Sequence, residues 1–564
     1  MNCALKSYVP VAVMAVSLFF TGCQSKTEKM ETKLKEFITG FEAKARPLMK
    51  ETNLAAWNAS ISGKEEDYKK SEELQIRLTA LFANRDDFAV LKEIRQSCAV
   101  RDELLNRQLT ILYNDFLDNQ VDTALLARKI RLETEIEKKY SNFRAEVGGR
   151  QLTDNEVEDI LKNSTVTQDL QQAWEAHKKI GPVVAGDIIR LVKLRNDIAR
   201  ELGFSNYHEM SLKLTEQDPA EISRLFDELD SLTRDAYTGV KDEIDTYLAN
   251  RLHIKKEELM PWHYQNRYFQ EAPRIYNVDP DQYYKDRNIE TLTEDYYRGL
   301  GMTVDDMLAC SDLYEKPGKN QHAFTTDIDN EGDIRVLCNI KPDNYWMNTM
   351  LHEFGHAVYD KYINRALPFF LREPAHIFTT EAVANFFGRM ASNPEWLCDM
   401  KLIDQQEKDK IAGESYKVMR LEQLVFSRWS QVMYRFEKSM YENPDQDLNK
   451  LWWNLVERFQ MIRRPAGRNE PDWATKIHIA TSPCYYHNYL LGEMLASQLN
   501  HYIAVTVLHS DYLGQSYANR PEVGNFFMEK VFSPGSRWYW NEMIERATGE
   551  KLTPKYYAEQ FVKQ

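Results

Sequence analysis

A chain of 564 residues with a formal charge of −14 is long enough to bury a core without covalent staples. The negative balance works against nucleic acid as a partner and favours solubility. Seven cysteines with no CxxC spacing spell no disulfide framework, and no GxSxG elbow, GxxxxGK[ST] loop or GxGxxG turn is present.

In chain order, the first element is Lys6 followed by an apolar run from Val9 to Phe20. It is too short to span a bilayer as a permanent helix and reads as an export signal, residues 1–22. Thr21-Gly22-Cys23 resembles a bacterial lipobox, which implies that Cys23 is lipidated and anchors an exported lipoprotein in the periplasm or at the cell surface. Residues 23–32 are expected to form a polar tether, and 33–564 a single catalytic domain, since no Gly/Ser or Pro-rich linker or repeat marks a boundary.

Helical stripes fill that domain: Leu34, Phe37, Ile38, Phe41, Ala45 and Leu48, then Leu104 to Phe116, Ile188 to Leu202 and Tyr416 to Met440. Strand-like alternation is scarce and best developed over Ile334 to Ile340. A mainly α fold is predicted, one large helical body split by a deep cleft, with a short β element just before the next helix. These stripes are core.

That next helix holds the most chemically specific pattern, His352-Glu353-Phe354-Gly355-His356. Histidines four apart share one helix face and reach a single zinc ion. Glu353 points into the same site, where a carboxylate holds the attacking water and takes its proton. Met350, Leu351, Phe354, Ala357 and Val358 mark a buried helix, and Gly355 is expected to leave room beside the metal face. After Pro368 and Pro374, Thr379 to Arg389 reads as a second helix carrying Glu381. Ligation by His352, His356 and Glu381 leaves a fourth position open, the catalytic pattern of zinc. His376, His487 and His501 have no ligand spacing and are read as packing.

The zinc segment, with Leu371-Arg372-Glu373-Pro374 and Thr380-Glu381-Ala382, resembles the angiotensin-converting-enzyme family of peptidyl-dipeptidases. Further matches are Leu54-Ala55-Ala56-Trp57-Asn58, Arg195-Asn196-Asp197-Ile198-Ala199, Glu315-Lys316-Pro317, Ile334-Arg335-Val336, Gly535-Ser536-Arg537 and Thr548-Gly549. Thimet oligopeptidases also resemble it through HEFGH, a downstream glutamate and a tyrosine-rich segment. Both resemblances imply a helical clamshell with zinc at the bottom of a long central channel.

The converting-enzyme resemblance also assigns roles to Lys476-Ile477-His478 and Tyr485-Tyr486-His487-Asn488-Tyr489. It implies that His478 stabilises the tetrahedral intermediate and helps protonate the leaving amine, and that Tyr489 donates to the oxyanion. Lys476 and Tyr486 would grip the substrate's free C-terminal carboxylate, while His322 and the backbone of Ala323 hold the departing dipeptide. From His478 to the tyrosines there is one residue more than in the family, so Tyr485 stands as an alternative to Tyr486. Two further departures are Asn488, where the family has an arginine tied to chloride activation, and Asn385, where it has an acidic residue near a zinc histidine. Chloride dependence is therefore not carried over through that site, and Asn385 remains able to accept from an imidazole N–H with less charge.

The implied activity is removal of C-terminal dipeptides from short peptides by a zinc enzyme, expected to be a monomer without nucleic-acid partners. A thimet-like endo-oligopeptidase and a non-catalytic peptide-binding lipoprotein are the alternatives. The intact set of His352, Glu353, His356 and Glu381 speaks against the last, because a pure binder needs no base between its ligands.

Overall fold

The periodic stripes of the sequence fold into helices that dominate the computed structural model, which describes residues 25–562. The export-signal run and Cys23 lie outside the described residues. The first helix, Lys26–Ser62, starts at a capping box in which Ser25 Oγ accepts from Glu28 N and Glu28 Oε2 accepts from Ser25 N at 2.8 Å. It buries Met30, Leu34, Ile38, Phe41 and Ala45. This corrects the expected tether: residues 26–32 already belong to the helix, because the cap supplies its first-turn acceptors and Met30 joins the apolar stripe. The helix ends at Gly63 in the left-handed region, where a Cβ would collide with the Gly318 carbonyl.

The other stripes lie in helices Glu103–Asp118, Ile180–Glu201 and Gln405–Glu442. Two antiparallel hairpins are the only sheets among the described residues. One pairs Ala145–Val147 with Arg150–Leu152 and was not expected from the sequence. The other pairs Phe324–Asp327 with Ile334–Leu337, Thr325 opposite Val336, and packs against the helix that follows.

One apolar cluster joins buried residues from Ile136 to Phe561 and contains the helices around the histidine motif. A smaller cluster gathers the N-terminal helices, with Phe41, Leu109 and Phe116 closing on Phe370 beyond the motif helix. The five cysteines within the described residues are free. No described helix is long and apolar enough to cross a membrane.

Arg195 ties three distant segments together at 1 % exposure. Its guanidinium donates to Tyr441 Oη and to the Ile479 carbonyl, each at 3.1 Å, to the Ala480 carbonyl, and to Glu133 at 2.7 Å. Asn196 beside it donates to the Tyr441 carbonyl at 2.8 Å. The helix Ile180–Glu201 thereby positions the chain just after Lys476 and His478. Arg195→Met orphans buried carbonyls and is expected to destabilise the fold by about 3 kcal/mol in chemical denaturation. A loss below about 1 kcal/mol, the net worth of one ordinary hydrogen bond, would show that the linkage is not structural.

Candidate metal centre and substrate site

The motif helix spans Asn344–Tyr362, and its N-cap Asp343 accepts from Trp346 N at 2.8 Å. The second helix, Ile377–Gly388, is capped by His376, whose Nδ1 accepts from Phe378 N at 3.2 Å. A third helix, His487–Tyr502, packs against the second. Glycines set these approaches. A Cβ on Gly355 would lie 2.8 Å from Ala384 Cα, and one on Gly492 would lie 3.2 Å from Glu381 Cβ. Gly355 thus makes room for the neighbouring helix backbone rather than for the metal face.

The packing brings His352, His356 and Glu381 together, with one ligand atom from each inside a 4.8 Å span. His352 Nε2 is 3.3 Å from His356 Nε2 and 3.7 Å from Glu381 Oε2. His356 Nδ1 is engaged by Thr380 Oγ1 at 2.7 Å, and Asn385 hydrogen-bonds His352. Among the described residues no other trio of His, Cys, Asp and Glu converges this closely. Two imidazoles and one carboxylate are the donor set of a catalytic zinc site, so the residues present fit that ion.

His352 keeps 25 % side-chain exposure, yet burial lowers its pKa to about 4 and lowers that of His356 well below the usual value. Both imidazoles are therefore held neutral, the form that ligates metal. Burial pushes Glu353 up to about 7, with neighbouring Glu381 adding to the shift and the Thr325 bond opposing it. Glu381 is pushed to about 7 by burial and by Glu493.

Glu353 is 7 % exposed and is steered by the hairpin. Thr325 Oγ1 lies 2.9 Å from Glu353 Oε2 and 2.8 Å from the Glu353 carbonyl oxygen. Neither Thr325 nor Thr380 carried a sequence signal of its own, although Thr380 sits beside Glu381 in the quoted motif. Thr380→Val should weaken metal binding by about 10–100-fold, because the imidazole loses the group that fixes its orientation. Competition with a chromophoric chelator measures this, and unchanged affinity would remove Thr380 from the metal's support.

Lys476 is 8 % exposed and donates to Gln270 Oε1 at 2.6 Å. Its ammonium rests on the ring of Tyr268 at 5.0 Å, with Trp429 and Tyr486 each at 5.7 Å. Among the described residues no carboxylate lies within ion-pair distance of it, while Glu271 and Glu158 act on it from farther away. Burial lowers its pKa to about 8. Tyr486 Oη accepts from Trp429 Nε1 at 2.7 Å, whereas Tyr485 directs its hydroxyl to Glu381 Oε1 at 3.5 Å. The two tyrosines thus lie on different sides: Tyr486 beside Lys476, Tyr485 beside a ligand of the metal trio. Gln270 and Tyr268 were not singled out in the sequence, being some 200 positions from Lys476.

Tyr489 is half-buried and packs edge-on against Tyr485 and Tyr486, at 5.2 and 5.3 Å. Burial and Glu381 raise its pKa, so its hydroxyl stays protonated. His478 contacts Tyr486 at 5.2 Å, and its buried Nδ1 has no partner among the described residues. Burial and Lys476 lower its pKa to about 4. His322 is exposed just before strand Phe324–Asp327, its N–H donating to Asn320 Oδ1 at 3.0 Å, and Ala323 packs against the main core. Asn488 joins a neutral relay, with Gln217 Nε2 donating to its Oδ1 at 2.7 Å and Gln217 Oε1 2.6 Å from His487 Nε2.

A family model described as angiotensin-converting enzyme, peptidase M2, matches residues 28–558. The chain is 22 % identical to angiotensin-converting enzyme of Oryctolagus cuniculus over 422 residues, 70 % of this chain and 32 % of that protein. It is 25 % identical to carboxypeptidase 1 of Bacillus subtilis over 258 residues, 42 % of this chain and 50 % of that protein. It is 19 % identical to an inactive angiotensin-converting enzyme-related protein of Caenorhabditis elegans over 510 residues, 80 % of this chain and 54 % of that protein. The chain therefore spans about a third to a half of the length of these curated relatives.

Proposed function

The chain belongs to the angiotensin-converting enzyme family of peptidases, and from that membership we propose that it is a zinc peptidyl-dipeptidase that releases dipeptides from the C-terminus of short peptides. His352, His356 and Glu381 would hold the ion. A zinc ion there supplies Lewis-acid polarisation of the attacking water and of the scissile carbonyl. Glu353 takes the proton of that water and delivers it to the leaving amine. Tyr489 Oη–H and neutral His478 are donors for the negative charge that develops on the carbonyl oxygen.

The observation that carries the exopeptidase reading is the buried ammonium of Lys476 with no protein carboxylate as its partner. A buried cation that touches Gln270 and aromatic faces, with Glu271 and Glu158 acting on it only from beyond ion-pair distance, leaves a contact for an anion supplied from outside, and a peptide's free C-terminus supplies one. Tyr486 lines the same spot. The intact set His352, Glu353, His356 and Glu381 supports catalysis over mere binding, because a pure binder needs no base between its ligands.

The test uses purified zinc-loaded protein and two short peptides that differ only in a free or amidated C-terminus, with products read by mass spectrometry. Dipeptide release from the free peptide alone is expected. Internal cleavage of both would replace this reading by a thimet-like endo-oligopeptidase. No cleavage with zinc demonstrably bound would favour a peptide-binding protein.

Lys476 also sets a pH dependence. Its lowered pKa of about 8 means that the anchor is charged below that pH and loses its proton above it. For the free peptide kcat/KM should therefore fall about tenfold per unit once the pH exceeds Lys476's value, since kcat/KM reports the free enzyme. A Lys476→Arg variant, cationic throughout, should lose that alkaline limb. A limb that persists in the arginine variant would assign it to another group.

A further inference from the structure

The segment that carries Tyr485, Tyr486 and Tyr489 is held from outside rather than by its own sequence. Cys484 enters it in the left-handed region, at a φ of 56°, which a residue with a side chain adopts only at a cost. The helix His487–Tyr502 then starts at Tyr486 with no side chain capping its first turn, so no local side-chain hydrogen bond fixes the residue at which it begins. A start displaced by one residue would turn the tyrosines by about 100° around the helix axis. Such a turn is large enough to take Tyr485 away from Glu381 and Tyr486 away from Lys476.

Two buried side chains from distant parts of the chain grip this segment on either side of the tyrosine pair. Before the pair, Glu437 of the helix Gln405–Glu442 accepts from Cys484 N at 2.8 Å. After it, Gln217 spans two successive residues: its Nε2 donates to Asn488 Oδ1 at 2.7 Å, and its Oε1 lies 2.6 Å from His487 Nε2. Gln217 is itself fixed. Its N–H donates to the Leu212 carbonyl at 2.7 Å, and Glu216 before it holds a φ of 63° while its carbonyl accepts from Trp540 Nε1 at 2.9 Å. Glu437, Gln217, His487 and Asn488 are all buried, so bulk water does not replace a partner lost there. Tyr489 packs edge-on against both tyrosines, and a change in their register therefore reaches its hydroxyl.

We propose that Glu437 and Gln217 are positioning residues, which together select the register that sets Tyr486 beside Lys476 and Tyr485 beside Glu381, with Tyr489 packed against both. Neither touches the reacting atoms. Glu437 acts through the backbone at Cys484, and Gln217 acts through the side chains of the first helical turn. The kinetic effect of this role rests on the peptidase reading, whereas its effect on Glu381, through the Tyr485 hydroxyl, does not.

The test is a double-mutant cycle on the zinc-loaded full chain, with the free-C-terminus peptide as substrate. Gln217→Met should lower kcat about tenfold in the parent but less than about twofold in a Tyr489→Phe background, because nothing remains to be positioned once that hydroxyl is gone. Glu437→Met should behave alike. Glu437→Gln, whose amide oxygen still accepts from Cys484 N, should keep kcat within about threefold of the parent. A variant that merely unfolds in part loses the same factor in both backgrounds, and either methionine variant suffices if the other fails to fold. Competition with a chromophoric chelator reads the register without turnover: both methionine variants should bind the metal about tenfold more weakly, and the loss should vanish in a Tyr485→Phe background. If the parent cleaves no peptide, the peptidase reading fails and the chelator result alone decides on the anchors. Equal kcat losses in the two backgrounds, or unchanged metal affinity in both methionine variants, would overturn the positioning role.

Discussion

Glu353→Gln is expected to lower kcat by about a thousandfold or more while leaving the metal and the substrate bound. The amide keeps the size of the carboxylate, and Thr325 Oγ1, 2.9 Å from Oε2, still has an oxygen to donate to. What disappears is the capacity to accept a proton from water and hand it to the leaving amine. No other carboxylate can take over from within the site, because Glu381 is committed to the ligand trio. Zinc content measured on the same variant, with peptide binding by calorimetry, separates lost proton transfer from a lost centre. A kcat within about tenfold of the parent would mean that another group is the base, since a general base contributes about 10²-fold at least.

Tyr489→Phe comes next, with an expected loss of about 10²–10³-fold in kcat. The ring contacts with Tyr485 and Tyr486 survive the change, so the variant removes one donor and little packing. Because a donor to the developing oxyanion acts mainly in the transition state, kcat should fall and KM should stay nearly constant. Tyr485→Phe is the informative comparison. Its hydroxyl serves Glu381, so its loss should appear in metal affinity ahead of kcat. If the two variants behaved alike, the distinction drawn between the tyrosines would fail.

The elements named from periodicity were recovered closely. The helix expected over Thr379 to Arg389 is Ile377–Gly388, and the strand expected over Ile334 to Ile340 is Ile334–Leu337. Apolar period and flanking punctuation act over one or two turns, and each of these segments carries both. The expected tether failed for the complementary reason. Residues 26–32 are polar in composition, but a capping box at Ser25 and a single buried Met30 suffice to start the helix. Polarity alone separates a tether from the solvent face of a helix poorly.

The tyrosine register shows the limit from another side. The extra residue between His478 and the tyrosines left Tyr485 and Tyr486 as alternatives. In the structure the intervening chain turns through Cys484, at a φ of 56°, and Cys484 N donates to Glu437 Oε1 at 2.8 Å. That turn delivers Tyr486 to Lys476 and Tyr485 to Glu381. No local rule connects Cys484 to a glutamate 47 positions away.

The sequence by itself determined the helical class and the histidine pair with its intervening glutamate, because an α-helix with 3.6 residues per turn places i and i+4 on one face whatever surrounds it. Tertiary structure decided the rest of the site: the meeting of Glu381 with that pair through glycine-mediated helix contact, the support of Glu353 and His356 by Thr325 and Thr380, and the seat of Lys476 on Gln270 and Tyr268. Those relations join segments 24 to 208 positions apart. They arise only when whole helices pack, and a one-dimensional pattern carries no measure of which faces meet.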